Sequence, residues 1–154
     1  MNFGYPTAIG DHKTFMSYEI KEMQLEDYDS IYALWKSSEG IGLSQADSKE
    51  NIARYLAYNP GMSFCAWEGE TLVGAVLCGT DSRRGYLHHL AVDKAHRNSG
   101  IGRALVERCL AALQDVSITK CHLFVFQDNQ DAINFWQRCG WIHRKELFLM
   151  SKGK

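Results

Sequence analysis

The stretch from His96 to Leu105 (HRNSGIGRAL) places two glycines and two arginines directly before an apolar repeat that predicts a helix. The first amides of a helix have no intrahelical acceptor and carry a partial positive charge. Gly100 and Gly102 let a bulky anion approach these amides closely, and Arg97 and Arg103 add positive charge. The chemistry that fits this stretch is the binding of a phosphate or pyrophosphate.

Two common phosphate loops do not match this stretch. The pattern G-x-x-x-x-G-K-[ST] is absent, and the dinucleotide pattern G-x-G-x-x-G requires a glycine where Leu105 stands. The glycine spacing alone is equally typical of a tight turn between a strand and a helix. The flanking segments therefore decide between an anion site and a simple turn.

Those flanking segments predict an α/β fold with a mixed central sheet and helices on both faces. The predicted order is a strand, two helices, three strands, a helix, a strand, a helix and final strands within WIHRKELFLMSK. The strand YLHHLAVD has apolar residues on both faces, which is typical of a central strand. Asp47, with Glu50 three residues later, is predicted to cap the second helix.

Length and charge restrict the class of protein. The chain has 154 residues, which suits a single domain over residues 17–154, with residues 1–16 predicted as an N-terminal extension or leader. A net charge of −1 argues against nucleic acid or an anionic membrane as the partner. No apolar run approaches the ~18 residues of a membrane span.

The cysteines and histidines argue for a cytoplasmic protein without a metal centre. The five cysteines form no C-x-x-C pair, so we expect free thiols in a reducing compartment. The N-terminal residues lack a signal-peptide pattern, which is consistent with that expectation. The six histidines show no metal-binding spacing, so no metal is expected.

The segment HLAVDKAHRNSGIGRAL resembles the signature of the GNAT superfamily of N-acetyltransferases. In that signature a strand ends in Leu/Ile-x-Val, and the pattern R/Q-x-x-G-x-G/A opens the next helix; residues 97–102 match it in full. A second family block, N-x-x-A-x-x-F-Y-x-x-x-G-F, reads here as Asn129, Ala132, Phe135, Trp136, Gly140 and Trp141. The resemblance extends over roughly residues 18–152 and implies the GNAT fold.

The resemblance implies that acetyl-coenzyme A is bound where the parallel strands YLHHLAVD and KCHLFVF separate. The pantetheine arm would pair with the backbone of Leu90, Ala91 and Val92, and Asn129 would contact the arm from the following helix. The residues implied in holding the pyrophosphate are Arg97, Asn98, Ser99, Gly100, Ile101, Gly102 and Arg103.

The implied reaction is direct acetyl transfer to a primary amine, which requires a base because alkylammonium groups have a pKa of about 10. His88, four residues before Val92, resembles the proposed catalytic histidine of arylalkylamine N-acetyltransferases. His89, Tyr86 and a water relay to Glu39 are the alternatives. Because adjacent strand residues face opposite ways, we expect only one of the two histidines in the cleft, and a bulge would change which one.

The position expected to hold the general acid that protonates the leaving thiolate departs from the family pattern, because Trp136 stands where the family often has tyrosine. An indole N–H donates a hydrogen bond but is not a proton source. Trp136 would therefore stabilise the leaving thiolate by hydrogen bonding, Tyr86 would replace it, or the thiolate would leave unprotonated. Trp136 is equally interpretable as a core residue. A backbone amide near Val92 is expected to stabilise the thioester oxygen.

The function predicted from the sequence is an acetyl-coenzyme A-dependent N-acetyltransferase. The alternatives are a non-catalytic acyl-coenzyme A-binding sensor or regulatory module, and a transferase for a longer acyl group. The partners are the donor and an amine acceptor that no motif identifies. A homodimer is one option for an oligomeric state that the sequence leaves open.

Overall fold

A computed structural model describes residues 17–154, and the predicted extension at residues 1–16 lies outside the described residues. Within the described part, five strands form one sheet in the order β1-β2-β3-β4-β5. The strands are β1 (Glu19–Glu22), β2 (Phe64–Glu68), β3 (Thr71–Thr80), β4 (Gly85–Val92) and β5 (Cys121–Leu123). The helices are α1 (Tyr28–Ser37), α2 (Lys49–Tyr58), α3 (Ile101–Asp115) and α4 (Gln130–Arg138). Pairing is antiparallel from β1 to β4 and parallel between β4 and β5, so the predicted mixed sheet is confirmed.

Helices cover both faces of this sheet, as predicted. Side chains of β2 and β3 alternate between two apolar clusters, as strand geometry requires. One cluster joins the sheet to α3 through Ile101, Leu105 and Leu113, with Trp136 of α4 packed against it. The other joins it to α1 and α2 through residues such as Trp35 and Ile52. We call these the α3 face and the α1/α2 face.

A β-bulge interrupts β4 where the two histidines lie. Leu77 of β3 pairs with His88 and Ala75 pairs with Ala91, so β4 holds one residue more than its partner between these pairs. His89 occupies this bulge with φ = 55°, a left-handed conformation that is uncommon outside glycine. The extra residue reverses the alternation of side chains along the rest of β4.

The end of the chain differs from the expectation. The structure has no strand or helix in residues 141–154, so the predicted final strands are wrong. Ile142 and Phe148 are 83% and 93% exposed. An alternating pattern produces a strand only where a neighbouring strand accepts its hydrogen bonds, and the edge strand β5, with three residues, is too short to support a long partner.

The start of α2 also differs, because Ser48 rather than Asp47 is its N-cap: the Ser48 hydroxyl accepts from the amide of Asn51. Asp47 instead completes a capping box with Ser44 in the short 3₁₀ turn before α2. None of the helices in residues 17–154 combines the length and apolar character needed to cross a membrane.

Candidate active site

The sheet opens between β4 and β5, because their parallel pairing stops at Leu87 and Leu123 while β4 continues to Val92. A cleft of about 350 Å³ lies at this opening. Its walls come from the loop 39–42, from β4, from the end of β5 with the residues up to 126, and from α4. Leu149 of the C-terminal segment also reaches this cleft.

The glycine stretch forms the start of α3, directly after the open part of β4. Gly100 is the N-cap with φ = 87°, and no atom lies within 4 Å of the position a Cβ would take. Asn98 is also left-handed, with φ = 60°, and the Ser99 hydroxyl donates to the carbonyl of His96. The loop thus turns so that the first amides of a 15-residue helix stand at an open surface.

Of the other residues in this stretch, some pack into the domain and fix the start of α3, and the arginines are exposed. Ile101 is 1% exposed and locks the helix start into the core, so Gly102 and Arg103 are the residues at the start of α3 that solvent reaches. A Cβ on Gly102 would meet the ring of Phe135 at 3.3 Å, so this glycine allows α3 to approach α4 closely. Arg97 and Arg103 are exposed and donate to the carbonyls of Val92 and Arg138 at 3.1 and 3.3 Å.

The residues predicted to hold the pantetheine arm have different surroundings. Leu90 lines the cleft, whereas Ala91 is buried and pairs with Ala75 of β3, and Val92 pairs with Gly74. Asn129 lines the cleft and is the N-cap of α4, where its Oδ1 accepts from the amide of Ala132 at 3.1 Å.

Both histidines of β4 line the cleft, so the expectation that only one would face it is wrong. The bulge is the reason, because the extra residue turns His89 to the same side of the sheet as His88. The His88 ring stacks on Phe124, with centroids 6.2 Å apart, and stands edge-on to Tyr55 at 6.3 Å. Burial, followed by the neighbouring His89, lowers the pKa of His88 below its usual value. His88 is therefore neutral at pH 7 and competent to accept a proton.

His89 forms a hydrogen bond with a buried carboxylate. Its Nε2 lies 2.7 Å from Oδ1 of Asp47, and its ring stands edge-on to Trp35 with centroids 5.1 Å apart. Asp47 is the site residue that sequence reasoning missed. The spacing of Ser44 and Asp47 signals a capping box, but no local pattern connects Asp47 with a histidine 42 positions away.

Comparison with known sequences identifies the family. The sequence model of the Acetyltransferase (GNAT) family matches residues 28–141. The chain belongs to the GNAT acetyltransferase family.

Two curated relatives and one solved structure illustrate the similarity. Human N-alpha-acetyltransferase 30 is 35% identical over 101 residues, covering 62% of this chain but 28% of the relative, so the chain spans under a third of that protein's length. An acetyltransferase of Pectobacterium atrosepticum is 28% identical over 120 residues, covering 78% of this chain and 84% of the relative. The PaiA N-acetyltransferase of Thermoplasma acidophilum, solved with coenzyme A, superposes with a TM-score of 0.71 at 19% identity over 80% of this chain and 88% of that one. This last match shows a shared fold.

Within the GNAT domain, Tyr86 and Trp136 lie apart from each other. Tyr86 does not line the cleft, and its ring lies against His122 of β5 with centroids 5.9 Å apart. Trp136 does line the cleft, and it packs between Phe135 and Trp141 at centroid distances of 5.0 and 5.3 Å. Trp136 thus combines a core role on the α3 face with access to the cleft.

The described part of the domain contains no group of three or more His, Cys, Asp or Glu side chains arranged to hold a metal ion. All five cysteines are free thiols, and Cys65, Cys78 and Cys109 are buried. The polar side chains that line the cleft belong to Glu39, His88, His89 and Asn129, and the buried Asp47 contacts His89.

Proposed function

We propose that this GNAT domain is an acetyl-coenzyme A-dependent N-acetyltransferase that transfers the acetyl group directly to a primary amine. One arrangement carries the proposal: the cleft borders β4, and the start of α3 lies against the end of the same strand, where a Cβ on Gly102 would lie 3.6 Å from Val92. A long ligand with an anionic end fits this combination, since its phosphates would meet the α3 amides while its arm follows β4.

The α3 start supports the donor assignment on physical grounds. The open space at Gly100 leaves room for a pyrophosphate beside the first turn of α3, where Gly102 is partly exposed and Arg103 is exposed. Arg97 and Arg103 stand exposed at the same loop and add positive charge. Beyond Leu87, the edge of β4 that faces the cleft is not paired with β5, and it suits the amides of a pantetheine arm, with Asn129 opposite.

His88 is the proposed base. The acceptor must lose a proton before it attacks, and a neutral imidazole in the cleft can accept it directly or through one water. Since burial already lowers the pKa of His88, the ring is in the basic form at neutral pH. Tyr86 lies outside the cleft lining, which makes His88 the stronger candidate.

Stabilisation of the thioester oxygen and departure of the thiolate require no side-chain acid or base. A backbone amide near Val92 is the proposed donor to the thioester oxygen as negative charge develops there. The leaving thiolate is already a fair leaving group, because thiols have a pKa of about 8.5. Trp136 is proposed to stabilise this thiolate by hydrogen bonding, without acting as an acid.

The acceptor class to test first is a peptide α-amine. Two observations support this order: relatives carry the name N-alpha-acetyltransferase, and α-amines have a pKa of about 7.7–8.0, so a weak base suffices. We propose a cytoplasmic location on the basis of the free thiols. A homodimer stays a prediction that light scattering can check.

The test is thiol release from acetyl-coenzyme A with a panel of amines: peptides with free N-termini, N-terminally blocked lysine peptides, polyamines and arylalkylamines. Release that depends on one class of amine supports the proposal and identifies the acceptor. Binding of coenzyme A without release for any amine would instead indicate the non-catalytic acyl-coenzyme A-binding module. Repeating the assay with a longer acyl donor tests the third alternative.

A further inference from the structure

The carboxylate of Asp47 holds three parts of the domain together. Its Oδ1 contacts Nε2 of His89 at 2.7 Å, and its Oδ2 accepts from the amide of Ser44 at 2.9 Å. Its backbone carbonyl accepts from the Tyr28 hydroxyl at 2.6 Å. Asp47 is 6% exposed, so this is a buried carboxylate with both oxygens in use. It connects the bulge of β4 with α1 and with the loop that precedes α2.

That loop forms one wall of the cleft. Residues 39–42 line the cleft, and Ser44, which Asp47 holds, lies directly after them. The loop also contacts the opposite wall: a Cβ on Gly40 would lie 2.1 Å from Nδ2 of Asn129, and one on Gly42 would lie 3.3 Å from the Phe126 ring. We call residues 39–43 the wall loop. Its distance from the opposite wall leaves no room for an added methyl group at Gly40.

His89 needs the contact with Asp47 to keep its backbone conformation. A left-handed conformation at a residue other than glycine persists only where the surroundings enforce it. Here the carboxylate of Asp47 and the edge of Trp35 hold the His89 ring on the α1/α2 face. The same bulge brings His88 and His89 to one side of the sheet, with ring centroids 6.5 Å apart. The pair therefore determines both the wall loop and the placement of the proposed base.

The proposed donor residues lie on β4, on α4 and at the start of α3, which leaves the wall loop as the side of the cleft open to the acceptor. We propose that Asp47 and His89 form a positioning pair that holds this loop and thereby sets acceptor affinity. Donor affinity depends on the pair to a smaller extent, through the contact of the wall loop with Asn129. This inference rests on the proposed function for its kinetic part. The charged and titratable groups that face the pair are His88 on β4 and Tyr28 on α1, with Tyr55 of α2 behind His88. The start of α3 at Gly100 does not contact Asp47 or His89, so the amides proposed to bind the pyrophosphate stay in place when the Asp47–His89 contact is removed.

The variants are Asp47→Asn, His89→Asn and the double variant. Asparagine at 47 keeps the shape and an acceptor for Ser44 but loses the carboxylate, and asparagine at 89 tolerates the left-handed conformation. Asp81→Asn is the matched control, because Asp81 is an exposed carboxylate in the β3–β4 turn that accepts from Arg83 and Arg84 amides.

Each single variant should raise the KM for the acceptor by at least about tenfold, the effect of losing a charged hydrogen bond. The dissociation constant of coenzyme A should change by a clearly smaller factor than the acceptor KM, because only the Asn129 contact links the wall loop to the proposed donor residues of α4. The double variant should be no worse than the worse single one, because both changes remove one contact. Asp81→Asn should match the wild type. Equal loss of acceptor and donor affinity in Asp47→Asn, or an unchanged acceptor KM, would overturn the proposal.

Two measurements test the role of the Asp47–His89 pair without an activity assay. Hydrogen exchange should accelerate at the amides of the wall loop in Asp47→Asn, and not in Asp81→Asn. An NMR titration should show a higher pKa for His88 in His89→Asn, because the Coulombic effect by which His89 lowers this pKa is removed. If the wild type acetylates no amine, the proposed function fails, and these measurements still test the pair. Unchanged exchange together with an unchanged pKa of His88 would refute it.

Discussion

A negative charge at Gly100 tests whether the start of α3 binds an anion. In Gly100→Asp, a carboxylate occupies the open space at the N-cap, where no atom lies within 4 Å of the position that a Cβ would take. A side chain at φ = 87° is strained, but aspartate is among the residues that adopt the left-handed conformation most readily, and its charge interacts well with the helix dipole. The variant should therefore fold, while its charge repels a bound pyrophosphate.

Coulomb's law gives the size of the effect. Two negative charges on a diphosphate at about 6 Å from the carboxylate, with an effective dielectric constant of about 40, are repelled by about 3 kcal/mol. This energy corresponds to an increase of about 100-fold in the dissociation constant of coenzyme A. In bulk-water dielectric the same arithmetic still gives about tenfold. Because exposed charges are screened, the effect should shrink as salt is added.

The chain offers a matched control at Gly140. Gly140 follows α4, has the same φ of 87° and is equally open at its Cβ position. Gly140→Asp therefore introduces the same charge and backbone strain at the end of α4 instead of the start of α3. Isothermal titration calorimetry with coenzyme A, alongside thermal melting, compares the two variants. Equal coenzyme A affinity in Gly100→Asp and the wild type would show that the glycine stretch is only a turn. Equal losses of affinity in Gly100→Asp and Gly140→Asp would show that backbone strain, not charge, causes the loss.

Three further predictions concern the base, the core and pH. His88→Gln should lower kcat at neutral pH by about 10²–10⁴-fold with part of the loss recovered at higher pH, and an unchanged pH–rate profile would exclude His88 as the base. Leu105→Ala should lower the free energy of unfolding by about 2–5 kcal/mol, because Leu105 is fully buried, whereas Leu110→Ala on the exposed side of α3 should cost less than about 1 kcal/mol in a denaturant titration. The hydrogen bond with Asp93 raises the pKa of His96, so its stabilisation is complete below the unfolded-state pKa and disappears as pH rises through the folded-state pKa. The melting-temperature difference between wild type and His96→Gln should therefore be larger at about pH 5 than at about pH 9, and a constant difference would contradict this linkage.

Local sequence patterns correctly predicted the elements that depend mainly on interactions between residues near each other in the chain. The apolar repeat of IGRALVERCLAALQD predicts an inner stripe of Ile101, Ala104, Leu105, Cys109, Ala112 and Leu113. The two alanines of this stripe are half-buried, and the other four residues are buried. The glycine stretch predicted a helix start after a strand, which is where Gly100 lies. The final strands failed for a related reason: their alternating pattern is local, but strand formation depends on a hydrogen-bonding partner elsewhere in the chain.

The histidine side of the cleft depends on contacts that sequence spacing does not encode. A single extra residue in β4 decides that His88 and His89 share a face, and the pairing register with β3 determines where that residue is inserted. Asp47 meets His89 only because α1 and α2 pack on that face. Such a pair becomes visible in sequence only after the register of the sheet is known.

The early end of the β4–β5 pairing has a thermodynamic consequence. From His88 to Val92, one edge of β4 is paired with β3 while the other has no partner strand, so this part of β4 has unpaired backbone groups along one edge. A ligand that supplies amides along this edge completes the ladder and binds only the folded state. At a free concentration 100 times its dissociation constant, such a ligand adds about 2.7 kcal/mol to the stability. The thermal stability and proteolytic lifetime of this domain should then rise and fall with the supply of that ligand.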